Sequence, residues 1–303
     1  MTAARTLWYR IQYVLVRGLS GLLTIVPPPV LLGLADAAAR LAFLLWRSRR
    51  RIAVENILGA GISPTPAAAR AMARAAFRTL ALMVVETTIV RRRMTRENWT
   101  EYVELQAPAD VEALLRRPGQ GLIVASAHIG NWEVAAHVAS MLKPTCAIYR
   151  PFNNPYLDRA VRAQREADGL RLVSRLRDDP MRFVRALVGG EIVALMVDQH
   201  AVRGGRVAVR FFGRPAWATK SVAMLHLTTR APLLLGCVVR LRPLRYALHI
   251  VGPLTCERTG DRDKDAVALT QALTSEIEAV VRRYPEQYMW GHRRWRAPRA
   301  AMP

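Results

Sequence analysis

Lysine is almost absent from this sequence: of 45 basic residues only Lys143, Lys220 and Lys264 are lysines, and the rest are arginine. Acidic residues are scarce too, 23 in all, which leaves a formal net charge of +22 and a pI near 11.3. Such a balance calls for a polyanionic partner, and nucleic acid and anionic lipid are the two ordinary kinds. Nucleic-acid binders are commonly polar and lysine-rich, whereas this chain is 51% hydrophobic with a mean hydropathy of +0.08. An anionic membrane surface is therefore the expected partner, and no nucleic acid is expected. Cysteine is also scarce. Cys146, Cys237 and Cys256 are odd in number and widely separated, which argues against a disulfide framework or a metal-ligand pattern. They read as reduced, structural thiols of a cytosol-facing protein.

No run of about 20 uncharged apolar residues occurs near the N-terminus. Arg17 interrupts IQYVLVRGLSGLLTIVPPPVLL, Pro27, Pro28 and Pro29 break it, and Asp36 and Arg40 sit in ADAAARLAFLLW. These features favour an interfacial anchor over an insulated transmembrane helix, with Trp8, Tyr9, Tyr13 and Trp46 as headgroup-level aromatics. The basic run RSRRR at 47–51 would face anionic lipid, as would RRR at 91–93. Arg17 and the absence of a small-residue cleavage pattern disfavour a signal peptide, so the segment is expected to stay on the protein. The competing reading is that these are core helices of a soluble protein. Two regions are expected: a membrane-associating helical segment over 1–51, and a catalytic domain over 52–303 with an amphipathic lead-in to about 102. In that lead-in Arg70, Arg74 and Arg78 fall four apart on one long helix over 66–90, a basic ridge opposite an apolar face.

From about residue 103 short apolar runs alternate with helical patterns. GLIVASA, TCAIYR, GLRLVS, EIVALMVD, PLLLGCVVR and YALHIVG read as strands, and NWEVAAHVASML, LDRAVRAQREADG, PMRFVRALVGG and DAVALTQALTSEIEAVVRRY as helices. This alternation predicts an α/β fold with a mainly parallel or mixed central sheet flanked by helices. FFGRPAWAT at 211–219 reads as a loop ending at a helix start.

The apolar run VASA leads into H-I-G-N-W-E, residues 128–133. A strand ending there and turning into a helix carries His128 and Glu133 to the sheet edge, where α/β enzymes keep their chemistry. Asn131 is a good N-cap for the helix. Glu133 in its first turn is expected to orient the imidazole, so that His128 can take a proton from an alcohol. No G-x-S-x-G elbow is present, which disfavours a covalent acyl-enzyme, and no His-Glu-x-x-His arrangement offers a metal site. Neither a metal nor a cofactor is expected.

Four further segments follow HIGNWE in order: YRPFNNPYLD at 149–158, MVDQH at 196–200, FFGRPAWAT at 211–219 and YPEQYMWGHRRWR at 284–296. Together, and behind a basic membrane-seeking N-terminus, they resemble the lipid A biosynthesis acyltransferase family, within the wider glycerolipid-type acyltransferases that share a histidine, four spacer residues and an acidic residue. The resemblance spans nearly the whole chain. It implies a glycerolipid-acyltransferase-like fold, an acyl carrier protein thioester as donor, a hydroxyl of a lipid A precursor as nucleophile, and residence at the cytoplasmic face of the bacterial inner membrane. By the same resemblance His128 is the general base, Glu133 its orienting carboxylate, and Arg150 with backbone amides near Asn131 the oxyanion donors.

Asp198 and Gln199 end a strand at the same sheet edge and suit substrate positioning. Arg165 shares a helix face with Arg162 and Asp158 and is the stronger anion-binding candidate, an Asp158–Arg162 surface pair being the alternative for Arg162. Arg214 and Thr219, with Lys220 just beyond, are candidate phosphate contacts. Arg293, Arg294 and Arg296 interleave with Trp290 and Trp295 as candidate headgroup contacts. Two alternatives stay open: an acceptor that is another glycolipid or a lysophospholipid, and a non-catalytic basic protein that binds membrane or nucleic acid.

Overall fold

A computed structural model of the chain describes residues 3–174, 179–201 and 205–295. Four helices come first: α1 (Ala3–Ile25), α2 (Pro28–Leu45), α3 (Arg47–Gly59) and α4 (Pro66–Arg93). The α/β region then runs α5 (Trp99–Tyr102), β1 (Val103–Gln106), α6 (Ala109–Arg116), β2 (Leu122–Ser126), α7 (Trp132–Leu142), β3 (Thr145–Tyr149), α8 (Pro155–Ala167), β4 (Leu170–Ser174), α9 (Met181–Val188) and β5 (Ile192–Met196). It closes with β6 (Arg206–Phe211), β7 (Arg214–Thr219), α10 (Ser221–Thr229), β8 (Leu233–Arg242), β9 (Arg245–Val251), α11 (Arg262–Arg283) and a short 3-10 turn (Pro285–Gln287).

Seven strands form one sheet in the order β1-β9-β8-β2-β5-β3-β4. All neighbours are parallel except β8 and β9, which form an antiparallel hairpin, so the sheet is mixed and mostly parallel, as the alternating pattern predicts. The central strands β2, β5 and β8 are buried on both faces, which is why they read as continuous apolar runs rather than alternating ones.

FFGRPAWAT departs from the expected loop. Arg214–Thr219 is a strand paired antiparallel with Arg206–Phe211, and Phe212 and Gly213 turn the hairpin with φ of 54° and 68°. Two successive positive φ values give a two-residue hairpin the twist its strands need. Pro215 is tolerated because this sheet has only two strands, both of them edges.

The N-terminal helices pack onto this framework. α2 lies along α4, and Arg78 makes a two-point contact to Asp36 with a shortest distance of 2.6 Å. Arg70, Arg74 and Arg78 are exposed along α4, as the spacing predicts. Ile52, Ala53 and Ile57 of α3 are buried, and the expected boundary between residues 51 and 52 falls inside that helix. α1 docks on α8: Asn154 donates to the Tyr9 carbonyl at 2.9 Å, and Tyr13 meets Tyr156 with ring centroids 6.2 Å apart. Tyr9 and Tyr13 therefore serve an internal contact rather than the expected headgroup level, while Trp8 and Trp46 are exposed.

Glu86 of α4 is wholly buried, and its partners explain how. Arg240 Nε donates to both carboxylate oxygens at 2.9 and 3.0 Å, and the Tyr246 hydroxyl donates at 2.8 Å. Burial and the Glu86 charge together push the Tyr246 phenol far up. This cluster pins α4 to the β8–β9 hairpin. Glu86→Leu leaves the Arg240 guanidinium without its carboxylate and is expected to cost about 3–5 kcal/mol of stability, measured by urea unfolding; a loss below about 1 kcal/mol would contradict the assignment.

Candidate active site

The parallel register of β2 and β5 builds the site. Ser126 stands opposite Met196, so the residues two beyond each strand end, His128 and Asp198, project from the same sheet edge. They meet there: His128 Nδ1 lies 2.8 Å from Asp198 Oδ1, and the His128 backbone N–H donates to Asp198 Oδ2 at 3.0 Å. Both carboxylate oxygens are thus occupied by one residue, and Nδ1 is fixed as the N–H donor. The other ring nitrogen, Nε2, is left as an acceptor and faces the Gln199 amide nitrogen at 3.3 Å.

The electrostatics favour a basic imidazole. Burial pulls the His128 pKa down, but the charge and hydrogen bond of Asp198, with a contribution from Glu133, outweigh it and the net shift is upward. Asp198 is fully enclosed, which by itself raises its pKa; the His128 imidazole and two hydrogen bonds from His128 reverse this and hold the carboxyl below its ordinary range. Tyr288 and Arg294 back the pair. Burial and then the Asp198 charge raise the Tyr288 phenol well above its ordinary value. The Arg294 guanidinium is lowered by burial, against the opposing pull of Tyr288 and Asp198.

Glu133 is elsewhere than expected. Its Oε1 accepts from Arg165 Nη2 at 2.6 Å, so α8 holds the carboxylate and its influence on His128 is through charge rather than a hydrogen bond. Arg91 joins this cluster: it pairs with Asp168 and donates to the Gln164 carbonyl at 3.2 Å. It is therefore turned inward instead of contributing to a basic surface. Its pKa is lowered by burial, opposed by Glu133 and reinforced by Arg165.

The turn between β2 and α7 admits little variation. Gly130 has φ of +57°, and a Cβ there would stand 2.0 Å from the Val238 carbonyl oxygen. The Gly130 and Asn131 amides donate to the Gln287 and Val238 carbonyls, each at 2.9 Å. The Asn131 side chain caps α7 by accepting from the Val134 amide at 3.1 Å, and also accepts from the Thr87 hydroxyl at 3.0 Å. Asn131, expected near substrate, is buried and uses its Oδ1 to hold the turn. The Trp132 and Glu133 amides, at the first two positions of α7, have no intrahelical acceptor.

An apolar cavity of about 140 Å³ lies between α7 and the sheet beside this turn. Val124, Ala136, Leu172, Ala194 and Leu248 line it, and Trp132, Glu133 and Arg165 stand on its wall. Among the described residues no cluster of three or more His, Cys, Asp or Glu side chains is arranged to hold a metal ion. A base with an oriented second nitrogen, an ion pair and a chain-lined cavity meet at one strand edge, which suits transfer to or from a long apolar group.

A family model described as bacterial lipid A biosynthesis acyltransferase matches residues 2–297. The chain belongs to that family. It is similar to the lipid A biosynthesis lauroyltransferase of Escherichia coli (strain K12), with 26% identity over 292 residues covering 94% of this chain and 92% of the relative. It is also similar to the lipid A biosynthesis palmitoleoyltransferase of the same organism, 26% identical over 278 residues covering 89% and 86%, and to a lipid A biosynthesis acyltransferase of Haemophilus influenzae, 25% identical over 182 residues covering 58% and 56%.

The remaining candidate residues of this acyltransferase are spread out. Arg150 is exposed just beyond β3 and makes no described contact with His128 or Asp198. Arg162 pairs with Glu166 at 3.0 Å rather than with Asp158. Arg214 packs over the Trp295 ring and against Gly59, Thr219 shares a hydrogen bond with Ser221, and Lys220 pairs with Asp263 at 2.5 Å. Arg293 is exposed, whereas Arg294 is 3% exposed and donates to the Trp217 carbonyl at 2.7 Å, an internal role in place of the expected headgroup contact. Arg296 lies outside the described residues. Sequence reasoning missed Arg91, Thr87 and Tyr288. Tyr288 and Arg91 lay in segments already singled out for another role, and Thr87 in the helix expected over 66–90.

Proposed function

We propose that this acyltransferase moves a fatty-acyl chain from an acyl carrier protein thioester to a hydroxyl of a lipid A precursor, with His128 as general base. The observation that carries the reading is the His128–Asp198 pair, in which Nδ1 is held as donor and Nε2 is left to accept a proton. In the transfer step Nε2 takes the acceptor's hydroxyl proton as the oxygen attacks the thioester carbonyl carbon. The carbon–sulfur bond then breaks, and the carrier thiolate leaves with the proton returned from the imidazolium. No covalent intermediate on the protein is required.

The oxyanion of the tetrahedral intermediate is met at the N-terminus of α7, where the Trp132 and Glu133 amides are available and the helix dipole is positive. This reading keeps the backbone amides near Asn131 and leaves out Arg150. Gln199, whose amide nitrogen lies 3.3 Å from Nε2, stands beside the acceptor hydroxyl's position and orients it. Arg165 holds Glu133 in place, and the smaller cavity receives the donor's acyl chain. Arg293 is available to lipid phosphate.

An apolar surface supports work at a membrane, the cytoplasmic face of the bacterial inner membrane. Val30, Leu34, Leu41 and Leu45 are each more than half exposed on α2, as are Trp46 beside it and Leu7 and Trp8 on α1. Contiguous apolar surface of this kind marks an interaction site. α2 is also long and apolar enough to cross a membrane by length and composition. Acyl transfer from a panel of acyl carrier protein thioesters to a tetraacylated lipid A precursor, by the purified chain in detergent, tests the reading. An acylated product is expected, and no product with any donor would overturn it.

A further inference from the structure

A second apolar cavity, of about 460 Å³, lies on the other side of Trp132. Its walls are Ala38 and Ala42 of α2, Leu80 and Val84 of α4, and Trp46, and it ends inside the protein at Trp132. Trp132 also lines the smaller cavity, so one indole stands between the two spaces. The His128 ring lies against that indole, edge-on, with centroids 5.1 Å apart. The Met289 amide, on the same wall, donates to the His128 carbonyl at 3.0 Å.

The two cavities differ in what they open onto. The smaller one lies between α7 and the sheet, beside the Glu133–Arg165 pair. The larger one has Trp46, Leu80 and Val84 on its wall, at 57%, 37% and 53% exposure, and these continue the exposed apolar surface of α2. Its α2 wall is built from alanines, whose small side chains leave the space open. Arg49 also lines it, with its guanidinium over the Trp46 ring, a cation where an anionic headgroup would rest when a chain lies inside.

We propose that the cavity between α2, α4 and Trp132 binds an acyl chain of the acceptor lipid, which enters laterally from the membrane, while Trp132 keeps it apart from the donor's chain. This rests on the acyl-transfer reading above. The physical argument is the source of each chain. A donor carried by a water-soluble protein can thread one chain into the smaller cavity at the sheet edge, whereas an acceptor embedded in a bilayer moves with least exposure to water through an opening continuous with the apolar surface. The shared wall then brings the acceptor hydroxyl and the thioester to one histidine.

Ala38→Trp and Ala42→Trp fill the cavity from positions that are not in the buried core. With saturating donor, each variant is expected to raise the KM for the lipid A precursor by about tenfold or more, leaving the KM for the acyl carrier protein thioester within about twofold. An unchanged acceptor KM, or a rise in the donor KM instead, overturns the proposal. A second measurement does not depend on turnover: a lipid A precursor with a diazirine in an acyl chain is photolysed with the wild-type chain, and the labelled peptides are mapped. Label within residues 38–84 or 287–292 supports the proposal even if the donor assignment fails. Label confined to the smaller cavity, or none that excess unlabelled precursor competes away, overturns it, whereas absence of any acyl transfer overturns the underlying reading alone.

Discussion

His128→Asn is expected to lower the rate of acyl transfer by about 10²–10⁴-fold while leaving the protein folded. The choice of asparagine matters. Alanine would strip the buried Asp198 carboxylate of its imidazole partner, so loss of activity and loss of structure would be confounded. The asparagine amide can still donate near the Nδ1 position but has no counterpart of Nε2. Activity close to wild type, with a melting temperature within a few degrees of it, would exclude His128 as the base.

Asp198→Asn should reduce kcat on the order of 10³-fold, with the KM for both substrates changing little. Asp198 accepts from both the ring and the backbone of His128, and an amide can satisfy only one of these with its oxygen while its NH₂ meets the other donor. The variant therefore disturbs the tautomer and the ring orientation as well as removing charge. It does not touch the cavities. A change confined to KM would mean that Asp198 binds substrate, the role suggested by its position at a strand end, rather than positioning the base.

The residues that were legible from sequence and those that were not separate on a physical line. The β2–α7 corner could be read because its signals are local: an apolar run, a glycine forced to positive φ, and an asparagine N-cap. His128 emerged from that corner. Its true partner did not, because the meeting of His128 and Asp198 depends on β2 and β5 being in-register neighbours, a pairing of segments 70 residues apart that no local pattern encodes. Glu133 was the plausible partner by proximity in sequence, yet it sits in the first turn of α7, where Arg165 reaches it from α8. Arg91 shows the same limit from the other side. Within RRR it is indistinguishable from its neighbours, and only the end of α4 abutting α8 turns it inward to Asp168. The β6–β7 hairpin was hidden by Gly213 and Pro215, which suggest a loop until the two successive positive φ values are seen to close a tight turn.

The pH dependence of kcat/KM, measured for the wild type and Asp198→Asn from about pH 5 to about pH 9, tests His128 as the base most directly. The base must be neutral to accept a proton, and the His128 pKa in the intact pair lies above the ordinary 6.5, so wild-type activity should rise with pH through an apparent pKa above that value. Removing the Asp198 charge leaves burial to pull the histidine down, so the acidic limb of the variant should move to lower pH even as its plateau falls. An acidic limb in the same place for both proteins, or no acidic limb in the wild type, would contradict a general base whose proton affinity is set by Asp198.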